Sequence, residues 1–166
     1  LISAHKMHSE PFSVTKSFLE NLLKAVEGGN VVAVGTTSTR CLESLYYIGV
    51  SCIEKGQPAD VDQWDPYSRD YGYSVEEALG AIVGYLKDNG LSELQLGTRI
   101  IIVPGFQFRV VDVLVTNFHQ PQSTLLLLIS AFVGGDWRSI YDYALGNDFR
   151  FLSYGYSSVL FRKQIR

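Results

Sequence analysis

The sequence predicts an α/β domain with a mainly parallel sheet flanked by helices. Three observations lead to this prediction. Apolar, β-branched segments alternate with segments of helical periodicity, the strand-like segments carry almost no charge, and polar residues gather where a strand-like segment passes into a helix-like one. Such alternation favours parallel strands joined by helical crossovers. In folds of this kind, ligands bind beyond the carboxyl ends of the strands.

The composition is that of one globular domain. The 166 residues are 46% hydrophobic and 19% charged, with a formal net charge of −3. That length is enough for a real core, and the charge gives no global basic field for nucleic acid. Cys41 and Cys52 lack metal-ligand spacing, which indicates a reducing compartment. The apolar segment 125–129 is too short to span a bilayer. We therefore expect a cytoplasmic location, no secretory signal and no membrane partner.

Strand and helix patterns alternate in the first half of the chain. Apolar residues at helical spacing, among them Phe18, Leu22 and Val26, predict the first helix. The predicted elements are a strand over residues 1–6, a helix over 14–27 ended by Gly28 and Gly29, a strand over 30–34, a polar turn over 35–39, and a helix from Thr39 to Gly49.

The second half begins with residues 51–73, where closely spaced Gly, Pro and Asp predict a long excursion with at most a short strand. Ser74 and Glu77 form a capping-box pattern at the start of the next helix. Ser123 is a good N-cap for a helix that is apolar all round and therefore buried. The remaining predicted elements are strands over 99–103 and 110–115, a helix to about Phe132, a helix over 138–145, and closing strands over 149–154 and 156–161.

A first polar cluster, at residues 5–10, contains His5, His8 and Glu10. Two histidines and a carboxylate suggest metal binding or proton transfer. If the segment is extended, His5 and His8 point to opposite faces, which disfavours a shared metal. An acid–base or hydrogen-bonding role for His8 or Glu10 is the preferred interpretation, and purely structural histidines are the alternative.

A second cluster, at residues 35–40, lies between a strand and a helix and offers Thr36, Thr37, Ser38 and Arg40. Backbone amides at a helix N-terminus carry positive potential that suits a carboxylate or phosphate. The alternative is a plain capped turn, because Ser and Thr are favoured there anyway. The turn lacks the GxGxxG and GxxxxGK[ST] patterns, so neither a nicotinamide site nor a P-loop is predicted.

A third cluster, at residues 116–124, joins a buried strand to a buried helix. His119 titrates near neutrality, Asn117 has donors and acceptors for a base or ribose edge, and Phe118 can pack or stack. Ser123 closes the cluster. A purely structural loop is the alternative, because polar turns between elements are common.

The C-terminal segment holds a fourth cluster, at residues 150–155, which includes Tyr154. It is either part of a site or a core-facing aromatic strand. Basic residues also gather in this part of the chain, and they form either a local basic face or a set of scattered, solvated charges. They are Arg138, Arg150, Arg162, Lys163 and Arg166.

Five motifs thus follow one another in order: HKMHSE at 5–10, VGTTSTR at 34–40 with LES at 42–44, PGF at 104–106 with VVD at 110–112, TNFH at 116–119 with Pro121 and STL at 123–125, and FRFLSYG at 149–155. In this combination the chain resembles the S-adenosylmethionine:tRNA ribosyltransferase-isomerase (QueA) family of queuosine biosynthesis. The resemblance spans nearly the whole chain.

The resemblance implies that residues 1–166 are the C-terminal portion of the α/β QueA-like domain. The front of the family's protein, with the start of this domain and an inserted β-barrel, is then absent, which fits a chain that starts at Leu1 instead of Met. Three departures stand out. Gln120 replaces a usually apolar residue, Tyr156 replaces a typical Asp, and the region 51–96 is longer than in many relatives.

The resemblance also implies a reaction. A transferase/isomerase of this family moves the ribosyl part of S-adenosylmethionine onto 7-aminomethyl-7-deazaguanine at the tRNA wobble position, giving epoxyqueuosine and releasing adenine and methionine. S-adenosylmethionine is consumed as a substrate, so no resident cofactor and no metal are expected. The partners are tRNA and S-adenosylmethionine, and a monomer is expected. The fragment by itself is expected to be inactive.

Such chemistry needs a positioned nucleophile, a base at the activated carbon and an acid for adenine departure. We predict that three residues transfer protons: His119, His8 and Glu10. Seven residues are predicted to bind substrate: Thr36, Thr37, Ser38, Arg40, Asn117, Ser123 and Tyr154. The first four would hold a carboxylate or phosphate, and Asn117 would position a nucleoside.

Two other functions compete with this one. A non-catalytic tRNA- or nucleotide-binding module would bind RNA with a steep salt dependence and release no adenine. A metal-dependent hydrolase would use His5, His8 and His119, and metal analysis of the purified protein would identify it.

Overall fold

The computed structural model describes residues 6–29, 31–120 and 123–163, which form strands and helices in alternation. In chain order they are β1 (Glu10–Thr15), α1 (Lys16–Gly28), β2 (Val32–Val34), α2 (Thr36–Lys55), α3 (Asp65–Ser68), α4 (Val75–Asp88), β3 (Glu93–Thr98), β4 (Val113–Asn117), α5 (Thr124–Phe132), α6 (Trp137–Gly146) and β5 (Ser157–Phe161). The predicted α/β class, with helices flanking the sheets, is confirmed.

The strands form two sheets of mixed character. One has the order β2-β4-β5, with β2 parallel to β4 and β4 antiparallel to β5. The other consists of β1 and β3, which run antiparallel. Among the described strands, β2 and β4 are the only parallel pair, so the parallel character that the sequence predicts is found only in part. The side chains of β1 alternate between half-buried and exposed, a pattern typical of antiparallel sheets with one wet face.

The helices α2 and α4 pack against each other at Gly49, where the sequence predicts the end of α2. The helix instead continues to Lys55. A Cβ atom at Gly49 would lie 2.1 Å from the carbonyl oxygen of Ala78 in α4. The glycine is therefore needed for the close approach of the two backbones, and its helix-breaking tendency is overridden by this packing.

Replacing Gly49 by alanine is expected to destabilise the fold by about 1–3 kcal/mol, because the two helices must separate to admit a methyl group. The matched control is Gly84→Ala in α4, where an added Cβ meets nothing within 4 Å. Alanine in that open helical position is expected to be neutral or stabilising by up to about 1 kcal/mol. Urea unfolding of both variants tests this, and equal stability of the two would contradict the packing role.

Three other predicted segments differ from the structure. The first helix begins at Lys16, after β1, and not at residue 14. Residues 99–103 are buried at the three isoleucines but form no strand, and the amides of Arg99 and Ile101 donate to the carbonyls of residues 61 and 63 in the preceding excursion. An apolar run predicts burial, and burial alone does not distinguish a strand from a packed loop. The strand predicted over 110–115 begins at Val113.

The C-terminal segment differs too, because residues 149–154 are not a strand. Asp148 and Leu152 have positive φ angles of 57° and 60°, which turn the chain at both ends of the aromatic stretch. Only β5 closes the larger sheet. The strand predicted over residues 1–6 falls almost entirely outside the described residues.

The helix caps agree with the prediction. The Glu77 amide donates to Ser74 Oγ at 3.0 Å, and the Ser74 amide donates to the Glu77 carboxylate at 2.7 Å, which completes the capping box of α4. Ser123 caps α5. Among the described helices, none is long and apolar enough to cross a membrane.

Candidate functional site

A polar cleft of about 390 Å³ lies at the carboxyl ends of β2 and β4, where the sequence predicts a site. Three segments build it: the turn from β2 into α2, the end of β4, and the start of β5. Its lining residues are Val34, Gly35, Thr36, Thr37, Ser38, Val115, Thr116, Asn117, His119 and Ser157.

The first wall of the cleft is the N-terminus of α2. Gly35 has φ +92°, and its amide donates to the Val115 carbonyl at 2.8 Å, so the chain leaves the sheet and starts the helix in a single residue. Gly35 is the N-cap and has no side chain to cap the helix. The first-turn amides, with the exposed Thr37 and Ser38, therefore offer the anion-binding features that the sequence predicted.

The second wall is the end of β4. Asn117 is exposed at the rim, and Phe118 turns inward and is buried. The His119 amide donates to Tyr141 Oη at 2.9 Å, and its ring Nε2 lies 2.9 Å from Thr116 Oγ1. Backbone and ring are thus both fixed.

The His119 ring is half-buried, and this burial lowers its pKa below the ordinary value of 6.5 because the charged form loses solvation. At neutral pH the imidazole is therefore neutral and able to accept a proton. Five predicted residues meet in the cleft: Thr36, Thr37, Ser38, Asn117 and His119.

Arg40 and Glu10 come together outside the cleft lining. The buried Arg40 guanidinium donates through Nε to the Ile100 carbonyl at 2.9 Å and through Nη1 to Glu10 Oε1. Arg40 follows Thr36 by one helical turn on the buried side of α2. Its contacts within the described residues join α2 to β1 and to the segment after β3. The predicted roles of Arg40 in anion binding and Glu10 in proton transfer remain predictions.

The other predicted residues also lie outside the cleft lining. His8 is exposed, and Tyr154 is 71% exposed on the loop before β5. Ser123 Oγ accepts from the Leu126 amide and donates to the Gln120 carbonyl, as expected of a helix cap. Their predicted roles in the site are not tested by these positions. Among the described residues, no group of three or more His, Cys, Asp or Glu is arranged to hold a metal ion, and His5 lies outside that part of the chain.

Two further residues, one in the cleft lining and one in the core, had no predicted role. Ser157 faces Asn117 across the β4–β5 pair and lines the cleft. Glu43 is fully buried and accepts three backbone N–H bonds of 2.9–3.0 Å from Arg109, Val110 and Val111. Burial raises the pKa of Glu43, and the three amide bonds oppose that shift. A lone carboxylate in the apolar stripe of α2 was the available sequence signal.

Asp112 directly follows the segment that Glu43 holds, and it connects that segment to the larger sheet. One carboxylate oxygen accepts from the Val31 amide at 2.9 Å, and the other pairs with Arg162 at 2.9 Å. Arg162 also donates to the Phe108 carbonyl. These bonds tie the starts of β2 and β4 to the end of β5, at the edge of the sheet opposite the cleft.

Comparison with known proteins gives a consistent result. The profile of the family described as "Queuosine biosynthesis protein" matches residues 1–160. The chain is 38% identical over 164 residues to the S-adenosylmethionine:tRNA ribosyltransferase-isomerase of Burkholderia cenocepacia and 37% identical to that of Burkholderia vietnamiensis. In both cases the match covers 98% of this chain and 36% of the relative. The chain thus spans about a third of the length of these relatives.

A solved structure shows the same similarity. The S-adenosylmethionine tRNA ribosyltransferase of Thermotoga maritima superposes with a TM-score of 0.59 at 30% sequence identity. The superposition covers 90% of this chain and 39% of that protein.

Proposed function

We propose that this chain, which belongs to the queuosine biosynthesis protein family, provides one wall of an S-adenosylmethionine:tRNA ribosyltransferase-isomerase active site. The reaction transfers and isomerises the ribosyl part of S-adenosylmethionine onto 7-aminomethyl-7-deazaguanine at the tRNA wobble position and gives epoxyqueuosine. The observation that carries the proposal is the cleft, where an uncapped helix N-terminus faces a neutral histidine.

The cleft residues suit the parts of this reaction. The first-turn amides of α2, with the hydroxyls of Thr37 and Ser38, would hold the methionine carboxylate, which favours a helix N-terminus. Asn117 and Ser157, paired across the sheet, would position nucleoside hydroxyls. His119 would accept a proton from the activated carbon next to the sulfonium, a task that requires its neutral form. Holding the aminomethyl nitrogen close to that carbon is a matter of proximity and orientation.

The proposal includes the partners and setting of the reaction. S-adenosylmethionine is a substrate and not a resident cofactor, tRNA is the acceptor, and the protein acts as a monomer. A cytoplasmic location is supported by Cys41 and Cys52, which are free thiols as expected in a reducing compartment. The chain alone is proposed to be inactive, because it spans only 36% of the relatives' length.

The test is an adenine-release assay with S-adenosylmethionine and precursor-bearing tRNA. It compares this chain alone, the intact Burkholderia cenocepacia relative, and a chimera in which this chain replaces the matched segment of that relative. We expect release by the relative and the chimera and none by the chain alone. A folded chimera that binds both substrates but releases no adenine would contradict the proposed function, and full activity of the chain alone would contradict its dependence on the rest.

A second candidate is a non-catalytic module that binds tRNA or a nucleotide. It is favoured by the positions of His8 and Glu10, which lie outside the cleft lining. Among the described residues that line the cleft, His119 is then the only titratable side chain available for proton transfer. This candidate predicts RNA binding that weakens steeply with salt and a chimera without adenine release.

A further inference from the structure

A row of aromatic rings leads from the cleft to the protein surface. Phe118, which lies between the cleft residues Asn117 and His119, is buried and contacts Phe149 edge-on at 5.8 Å between ring centroids. Phe149 in turn stacks on Tyr156, with centroids 4.7 Å apart and an interplanar angle of 23°. One face of Tyr156 therefore rests on a ring that is itself packed against the wall of the site.

Tyr156 directly precedes a residue of the cleft lining. The next residue, Ser157, lines the cleft and pairs with Asn117. Consecutive Cα atoms are about 3.8 Å apart, so the Tyr156 backbone is immediately beside the lining. The Tyr156 side chain is nevertheless 42% exposed. An aromatic residue that is stacked on one side and still this open presents ring surface to solvent next to the site.

The loop that carries this stack is held in a costly conformation. Leu152 has φ 60°, a region that residues other than glycine rarely adopt, and its amide donates to the Phe118 carbonyl at 2.8 Å. Asp148 has φ 57°, and the following Phe149 amide donates to the Ala144 carbonyl at 3.0 Å. Backbone strain of this kind concentrates at functional sites. The two hydrogen bonds fix both ends of the segment 148–152, which presents Phe149.

We propose that Tyr156, backed by Phe149, is a stacking platform for a nucleobase at the rim of the cleft. The ligand class follows from the chemistry: a rigid, partly exposed aromatic face beside a polar cleft suits a flat heteroaromatic ring. The inference rests on the proposed function, whose two substrates each carry such a ring. One is the adenine of S-adenosylmethionine and the other is an unpaired base of tRNA.

Binding measurements with the 166-residue chain test the platform without requiring turnover. The probes are S-adenosylmethionine, a hairpin RNA with an anticodon stem and loop, and the same hairpin with abasic loop nucleotides. The variants are Tyr156→Ala, which removes the ring, and Tyr156→Phe, which keeps it. Phe161→Ala is the matched control, since Phe161 is a more exposed aromatic residue at the opposite end of β5. Thermal unfolding of each variant verifies that it is folded.

We expect Tyr156→Ala to weaken binding of one probe on the order of tenfold, Tyr156→Phe to restore it, and Phe161→Ala to leave it within twofold. Loss confined to S-adenosylmethionine assigns the platform to adenine. Loss confined to the intact hairpin, with the abasic hairpin unaffected, assigns it to an RNA base. Unchanged binding of both probes, or no binding of either to the unsubstituted chain, overturns the proposal. Failure of the chimera to release adenine, with these binding effects intact, would contradict the proposed function alone.

Discussion

Replacing His119 by alanine in the active chimera is expected to slow adenine release on the order of a hundredfold or more. That is the loss typical of a general acid–base group. The expectation rests on the geometry of the ring, which lines the cleft and is held by Thr116 Oγ1 at 2.9 Å. Single-turnover rates with saturating S-adenosylmethionine and tRNA measure the chemical step apart from binding.

The comparison variant for His119 is His8→Ala, because the sequence predicts that both histidines transfer protons. The His8 side chain is exposed and does not line the cleft, so its loss is expected to change the rate only a few-fold. Turnover of the His119→Ala chimera within a few-fold of the unsubstituted chimera would contradict the assignment. If His8→Ala instead caused the large loss, the proton transfer would belong to the segment before β1.

The same residue has an expected pH signature. Burial lowers the pKa of His119, so its neutral form persists to a pH below 6.5. Activity that needs the neutral ring should therefore fall on the acid side with a midpoint below 6.5. The stability contributed by burying the neutral ring is present above the unfolded-state pKa and is lost as the pH falls through the folded-state pKa. An NMR titration of the chain that gave His119 a midpoint above 6.5 would contradict this account.

Glu43→Ala is expected to lower the free energy of unfolding by about 3 kcal/mol or more. The substitution leaves three amides, those of Arg109, Val110 and Val111, without the acceptor that they have in the fully buried carboxylate. Buried donors without acceptors cost about 1–3 kcal/mol each before relaxation. The cavity left by the side chain adds to this. Urea unfolding monitored by circular dichroism measures the loss.

Two controls distinguish the buried network from loss of charge in general. Glu43→Gln keeps the shape and one carbonyl acceptor, so a smaller loss than for alanine is expected. Glu20→Ala, at an exposed position of α1, is expected to stay within about 0.5 kcal/mol of the unsubstituted chain. A Glu43→Ala chain as stable as Glu20→Ala would show that the three amides find other partners.

The parts of this fold that the sequence determined are those that depend on patterns of residues close together in the chain. The capping box at Ser74, the cap at Ser123 and the helix stripe of α1 depend on residues within a few positions of one another. The two caps agree with the structure, and so does the stripe apart from Phe18, which is 44% exposed. The cleft was predictable for a related reason. Polar residues that directly follow two apolar strands must emerge at the same edge if those strands are parallel neighbours, as β2 and β4 are.

Only the tertiary structure decided the features that depend on distant partners. Gly49 carries the local signal of a helix end, but Ala78 of another helix makes it a packing position. Arg40 belongs to the polar turn by sequence, yet its contacts lie with Glu10 and Ile100. Local patterns report conformational preference and burial. The partners of a buried group are decided by long-range packing. A buried charge must be hydrogen-bonded or paired, so it takes the partner that the packing brings near and not its neighbours in the sequence.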